Sequence, residues 1–320
     1  MTDTAMLRRI VLTRDELALV QEGAAVVSSP AAMFCVEGPG AVACVQGIVT
    51  ADVQSRGPGS VCYGAVLTPK GMIVFDSWLF RDGERIVFVA DRSARTTALE
   101  LFRRQLPPRL AKVTDWSDSH AALAVVGHRS AAAGAALGVP ELPGRLVATD
   151  GILAARMPPS APAGLMLIAP LTEDARLRAA LALPSADARL ADAARVLAGF
   201  PALGAEIDDK TLPQEVRFDE HDGTSYTKGC YTGQETVARI HFRGHPNREL
   251  RAVRLAESPS ALDHLVIVHE GKDVGRVRSL LETPLGCVAL APVRREVPLG
   301  ASVTLLGTSG VVQLPPLRLE

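Results

Sequence analysis

The richest chemistry in the sequence lies in one stretch, Lys228-Gly229-Cys230-Tyr231-Thr232-Gly233-Gln234-Glu235-Thr236-Val237-Ala238-Arg239, continued by Ile240-His241-Phe242-Arg243-Gly244-His245-Pro246-Asn247-Arg248. Gly229 and Gly233 allow positive φ or close backbone approach on both sides of Cys230, which presents its thiol on a turn rather than locking it in a strand. Lys228 and Arg239 are cations near it in sequence, and a helix beginning within Thr232 to Ala238 would add its positive end. All three favour the thiolate, the nucleophilic and metal-binding form. The competing reading is a free cysteine acting as small buried apolar filler, the role expected of Cys35, Cys44, Cys62 and Cys287, which sit in apolar runs. Arg243, Arg248, Arg251 and Arg254, with His241 and His245, extend the positive charge. Such a stretch is either a solvated face or a site for an anion, be it a carboxylate-bearing ligand or a nucleic-acid backbone.

Other chemistries lack their residues. Permanent iron–sulfur sites use four cysteines, or two with two histidines. No second cysteine lies near Cys230 in sequence, so no resident cluster is expected. No G-x-S-x-G accompanies the serines and histidines, and Gly57-Pro58-Gly59 lacks the rest of a phosphate-binding loop.

These side chains must be positioned by a chain of 320 residues, long enough for two or three linked units with real cores. Its composition, 48% hydrophobic and 22% charged, is that of a globular protein, and 34 Lys+Arg against 35 Asp+Glu give a net charge of -1. Global charge therefore selects neither nucleic acid nor membrane, and any electrostatic recognition must be local. The apolar runs fall short of the ~18 residues that span a bilayer, and the acid in Met1-Thr2-Asp3-Thr4 sets the expectation that this stretch is not an export signal. Five cysteines without a C-x-x-C pair fit a reducing compartment, so the expected location is cytoplasmic.

Met33–Val36, then Gly38-Pro39-Gly40 and a helically spaced Ala41–Ile48, set out a strand, a glycine turn and a short helix. Leu123–Val126, Gly127 and Ser130–Leu137 repeat the plan, which predicts two related α+β modules side by side rather than one continuous sheet. Val61–Leu67, Gly71–Phe80 and Arg85–Ala90 read as an antiparallel meander around Thr68-Pro69-Lys70-Gly71 and Asp82-Gly83. A helix follows from Asp91 to Pro107. Strands near Gly151–Arg156 and Leu165–Ile168 and helices within Thr172–Leu197 repeat this scheme. After Leu250 short runs at Leu265–His269, Val274–Leu281, Cys287–Ala291 and Ser302–Leu306, separated by turn residues, predict a terminal β-barrel. The expected units are 1–118, 119–249 with the cysteine segment, and 250–320.

Lys228-Gly229-Cys230-Tyr231-Thr232-Gly233-Gln234-Glu235 resembles the K-G-C-Y-x-G-Q-E signature of the YgfZ family. Arg195-Val196-Leu197-Ala198-Gly199-Phe200-Pro201, with Leu212-Pro213-Gln214-Glu215, is similar to the approach that precedes that signature. Gln46-Gly47-Ile48-Val49-Thr50-Ala51-Asp52-Val53 and Tyr63–Gly71 are similar to its upstream segments. The resemblance implies an α+β body like the glycine cleavage T-protein: two folate-binding modules and a C-terminal antiparallel β-barrel around a central hole sized for tetrahydrofolate. It also implies a role in synthesis or repair of iron–sulfur clusters in client enzymes, tRNA methylthiolases among them.

On this resemblance Cys230 is the catalytic candidate, and Asp76, Lys228, Tyr231, Gln234, Glu235 and Arg239 are candidates for binding tetrahydrofolate or a one-carbon derivative. The T-protein pattern G-G-x-x-D-D keeps only its second acid here, in Gly71-Met72-Ile73-Val74-Phe75-Asp76, and the R-L-E-A-G glutamate is replaced by Leu197. Both departures argue against a glycine cleavage aminomethyltransferase. The readings in play are a folate-binding accessory factor for iron–sulfur enzymes, a folate-dependent aminomethyl- or methyl-transferase, and a non-catalytic module docking protein or tRNA through the basic 239–254 stretch.

Overall fold

A computed structural model describes residues 7–28, 30–259 and 265–319; Met1–Thr4 lie outside the described residues. In chain order the first elements are β1 (Arg8–Val11), α1 (Arg14–Gln21), β2 (Ala25–Ser28), β3 (Ala31–Glu37), α2 (Ala41–Gln46), β4 (Ser60–Leu67), β5 (Ile73–Asp82), β6 (Arg85–Asp91), α3 (Arg95–Gln105) and β7 (Lys112–Asp115). There follow β8 (His120–Val126), β9 (Arg145–Thr149), β10 (Ile152–Arg156), β11 (Ala163–Pro170), α4 (Asp174–Leu181), β12 (Ser185–Ala186), α5 (Ala188–Ala198) and α6 (Gln234–Arg243). The last part holds β13 (Arg248–Leu255), β14 (Val266–His269), β15 (Lys272–Arg276), β16 (Ser279–Thr283), β17 (Gly286–Arg294), β18 (Ser302–Leu305) and β19 (Thr308–Gln313).

The internal repeat is visible in the strand order. The larger sheet runs β12-β2-β8-β11-β10-β9-β4-β5-β6-β3-β7, so β8-β11-β10-β9 mirrors β3-β6-β5-β4 about its middle. The expectation of two separate sheets is corrected at that middle. Ser60 of β4 pairs with Arg145 of β9, and the Val61 and Leu146 amides donate to the carbonyls of Gly144 and Gly59 across the same seam. Each half is a meander closed by its own hairpins, and the two edge strands satisfy each other's backbone groups there instead of facing water. The N-terminal segment crosses between units: β2 pairs with β8 of the second half, and β1 pairs in parallel with β16 of the smaller sheet.

Alternation along β5 sets the two faces of the first half. Phe75 and Leu79 enter a core with Phe34, Phe88 and Phe102, under α2 and α3, where the Phe102 ring meets those of Phe34, Phe75 and Phe88 edge-on at 5.4, 6.1 and 5.0 Å. Trp78 and Phe80 join the opposite core with Tyr63, Phe200 and Phe218. Asp76 shares that inner parity.

The terminal unit is a closed six-strand antiparallel barrel, β17-β13-β19-β18-β14-β15, shut by the pairing of Gly275 with Val293. The expected single strand Val274–Leu281 is two. Val277 donates its amide to Leu265 and Arg278 to Leu290, and this step carries the chain from the closing strand β15 to β16 on the far edge of β17. Two strands, β13 and β19, were not expected. Ser130–Leu137 forms a 3-10 helix.

Candidate functional site

The cysteine segment is held by a part of the chain nearly two hundred residues away. Lys228 donates from Nζ to the carbonyls of Gln46 (2.7 Å), Val49 (2.5 Å) and Ala51 (2.8 Å). The amides of Ser225 and Thr232 donate to the carbonyls of Thr50 and Gly47. Buried Thr50 donates from its hydroxyl to the Gly223 carbonyl and accepts from the Ala65 amide. The Gln46 side chain braces the acceptor loop, accepting from the amides of Val53 and Gln54 and donating to Asp52. The 46–53 segment and the 223–232 segment therefore form one interlocked unit.

Its other anchor is the β4–β5 turn. Gly233 (φ +83°) and Gly71 (φ +88°) lie against one another. A Cβ on Gly233 would stand 2.6 Å from the Thr68 carbonyl oxygen, and one on Gly71 would stand 3.0 Å from the Cβ of Thr236. Both positions require glycine on conformational and steric grounds. Tyr231 is buried in the inner core, with the Lys228 ammonium 4.7 Å from its ring centroid. Although the segment follows the second half in sequence, its contacts are to the first.

Cys230 is exposed, whereas Cys35, Cys62 and Cys287 are buried and Cys44 is half-buried. Burial pushes the Cys35 thiol up to about 11 and the Cys62 thiol up to about 12. The expectation that Lys228 serves the thiol is corrected: its ammonium is committed to three carbonyls. Burial pushes Lys228 down to about 8, while the nearby Asp52 charge opposes that shift. Gln234 and Glu235 open α6, which starts three residues after Cys230 is passed, and Arg239 is exposed on the next turn.

Asp76 belongs to a different place. A cavity of about 460 Å³ lies between the halves, lined by Asp76, Trp78 and Val89 of the first, Ala124 and Met166 of the second, and Arg195 and Phe200 of the connecting segment. Tyr63 donates its hydroxyl to Oδ2 of Asp76 at 2.8 Å. Burial pushes the Asp76 carboxyl up to about 6, with the Tyr63 hydrogen bond acting the other way. Trp78 and Phe200 stack at 5.6 Å with their rings 16° apart, forming an aromatic wall. None of Lys228, Cys230, Tyr231, Gln234, Glu235 or Arg239 lines this cavity. Lys228, Tyr231 and Arg239, grouped with Asp76 as candidate folate-binding residues from the sequence, belong instead to the segment anchored on the turn at the end of the β4–β5 hairpin.

Arg195, Trp78 and Phe200 were not singled out as site residues. Arg195 is buried, pairing with Glu206 at 3.1 Å and Asp192 at 3.0 Å and donating to the Ser279 hydroxyl at 2.8 Å. It ties α5, the cavity wall and β16 of the smaller sheet together. Its position in the Arg195–Pro201 segment was the available signal. Glu206 also accepts from the Ala202 amide and Glu215 from the Leu212 amide, so both hold turns. A second cavity, about 490 Å³, adjoins the first at Pro162 and Ala163, and its ionisable lining groups are His128, Arg156 and Arg318, all basic. No helix among the described residues is long and apolar enough to cross a membrane.

Residues 10–138 match the family model described as the GCVT N-terminal domain. The tRNA-modifying protein YgfZ of Shigella sonnei (strain Ss046) is 32% identical over 234 residues, covering 68% of this chain and 69% of the relative. The protein of the same name from Serratia proteamaculans (strain 568) is 30% identical over 232 residues, covering 68% and 67%. The glycine cleavage system aminomethyltransferase T of Bartonella henselae superposes with a TM-score of 0.80 at 20% identity, over 94% of this chain and 88% of that one, which establishes a shared fold. With the K-G-C-Y-x-G-Q-E segment in place on that fold, the chain belongs to the YgfZ family.

Proposed function

We propose that this protein is a tetrahydrofolate-binding accessory factor for the synthesis or repair of iron–sulfur clusters in selected enzymes such as tRNA methylthiolases, acting in the cytoplasm. The observation that carries the reading is the cavity between the halves, where Asp76 lies beside Trp78 and Phe200, and where Arg8, Asp91, Asp192 and Arg195 also reach the lining. Its volume is in the range of small-molecule sites. Asp76 has a single side-chain donor, Tyr63, among the described residues, leaving acceptor capacity for the N–H groups of a pterin. The stacked Trp78 and Phe200 would offer such a ring one aromatic wall, and the basic second cavity suits the carboxylates of a folate tail. A bound reduced folate would supply one-carbon or redox chemistry there. The protein's own part is to exclude water, orient the ring against Asp76 and hold a proton on that carboxyl or release it.

Cys230 stands apart, as an exposed thiol on a braced loop suited to meet a partner's cluster or thiol rather than the folate. The Leu197 and Phe75 departures weigh against aminomethyl transfer. The test is restoration of methylthiolase activity in cells lacking their own factor. The native chain restores it, Cys230→Ser does not, and restoration by the serine variant would remove the thiol from the account.

A further inference from the structure

The barrel brings together cations that the sequence keeps far apart. In the β13–β17 register Arg248 lies directly opposite Arg294, with Arg295 next, and all three are exposed. Like charges directly opposite across an antiparallel pair oppose folding. The same conflict recurs on α6, where Arg239 and Arg243 stand one turn apart on its exposed side. Local acids relieve this only in part. Arg294 reaches Glu296 at 3.4 Å and Arg295 reaches Glu249 at 3.8 Å, both long contacts. Glu249 is already held by Arg251. Arg248 has no ion-pair partner among the described residues; Glu215, the acid that feels its charge, accepts the Leu212 amide. Arg248, Arg294 and Arg295 thus meet Glu249 and Glu296 at the end of β13 and β17, while on α6 Glu235 stands one turn before Arg239, in a chain whose net charge is -1.

His245, Pro246, Asn247, Arg248, Arg294, Arg295 and one acid, Glu296, line a concavity of about 710 Å³. Three residues before His245, Phe242 exposes 67% of its surface, the most of any large apolar side chain among the described residues. The Phe242 ring meets Tyr226 and His241 edge-on and precedes Arg248 by six residues; an exposed aromatic ring near partly relieved positive charge is the pairing that single-stranded nucleic acid exploits, bases stacking on the ring and phosphates on the cations. α6 is ten residues long, so about 15 Å separates its start beside the Cys230 loop from this surface.

We infer that the Arg248–Arg294–Arg295 concavity, with Phe242, is a docking surface for an unpaired RNA loop, its phosphates on the arginines and one base on the ring. This stands independently of the folate reading, because it shares no residue with the Asp76 cavity.

The experiment uses the full chain, a fluorescein-labelled unmodified tRNA anticodon stem-loop and a blunt RNA duplex of equal length, with anisotropy read from 50 to 200 mM salt. The expected result is preference for the stem-loop and a logarithmic salt slope of about -2, from three phosphates at about -0.7 each. Arg248→Ala lowers the slope by about 0.7, whereas Phe242→Ala weakens stem-loop binding roughly tenfold with the slope unchanged. Arg176→Ala, on α4 of the larger sheet's second half, binds as the native chain does. The proposal is overturned if the stem-loop does not bind at 50 mM salt, or if Arg248→Ala and Phe242→Ala both bind normally. It is equally overturned if Arg176→Ala loses as much as Arg248→Ala. Displacement of the stem-loop by a few millimolar inorganic phosphate, with no preference over duplex, also overturns it, the cluster then being a plain anion site.

Discussion

Lys228 holds its ammonium 2.7 Å from the carbonyl oxygen of Gln46, 182 residues earlier in the chain, and the carbonyls of Val49 and Ala51 complete the cage. The cation of the signature is thus the fastening of its own loop.

Removing that fastening strands three acceptors in a mostly buried site. Lys228→Met is expected to cost about 2–4 kcal/mol in urea unfolding. Limited proteolysis should cut the 223–233 segment faster than in the native chain. A variant as stable and as resistant as the native protein would show that the cage is incidental.

Thiol reactivity should follow exposure and proton affinity. Iodoacetamide near neutral pH should alkylate Cys230 first and Cys44 second, and leave Cys35, Cys62 and Cys287 unmodified until the protein unfolds; peptide mass spectrometry reads the order. Cys62 or Cys35 reacting as fast as Cys230 would contradict the burial of those strands.

Asp76 should couple stability to pH. Its carboxyl titrates near 6 when folded against an ordinary 3.8 when unfolded, so the native state holds the extra proton between those values. Stability therefore falls as pH rises from about 4 to about 6 on this account, and Asp76→Asn abolishes that component. Tyr63→Phe removes the donor that favours the ionised form, so the midpoint should move above 6 by NMR titration. An unchanged midpoint would mean that the Tyr63 hydrogen bond is not formed in solution.

Glu206 and Arg195 form a buried pair with side chains 0% and 7% exposed. Glu206→Ala leaves the guanidinium short of one carboxylate and is expected to cost about 3–5 kcal/mol. Arg176→Ala, which removes the exposed partner of Glu173, should cost under about 1 kcal/mol. Equal costs would place the stabilisation elsewhere.

Local signals carried much of this structure into the sequence. Glycines flanking Cys230 foretold an exposed thiol, and turn residues after Leu250 foretold the barrel. What stayed hidden is long-range. Nothing near Lys228 announces that its acceptors are Gln46, Val49 and Ala51, and the proximity of Lys228 and Cys230 in sequence suggested the wrong partner. Arg248 and Arg294, 46 positions apart, meet only through β-pairing, which has no local signature. The seam at Ser60 and Arg145 was missed for the same reason, since edge strands that happen to match look like any other strand ends.

The central claim is most directly tested by calorimetric titration of the purified full chain with tetrahydrofolate under anaerobic conditions, beside Asp76→Asn. The account predicts saturable one-site binding to the native chain and at least roughly tenfold weaker binding to the asparagine variant, as expected for loss of a charge-assisted hydrogen bond. No saturable binding to the native chain, or equal affinity in the two proteins, would contradict it.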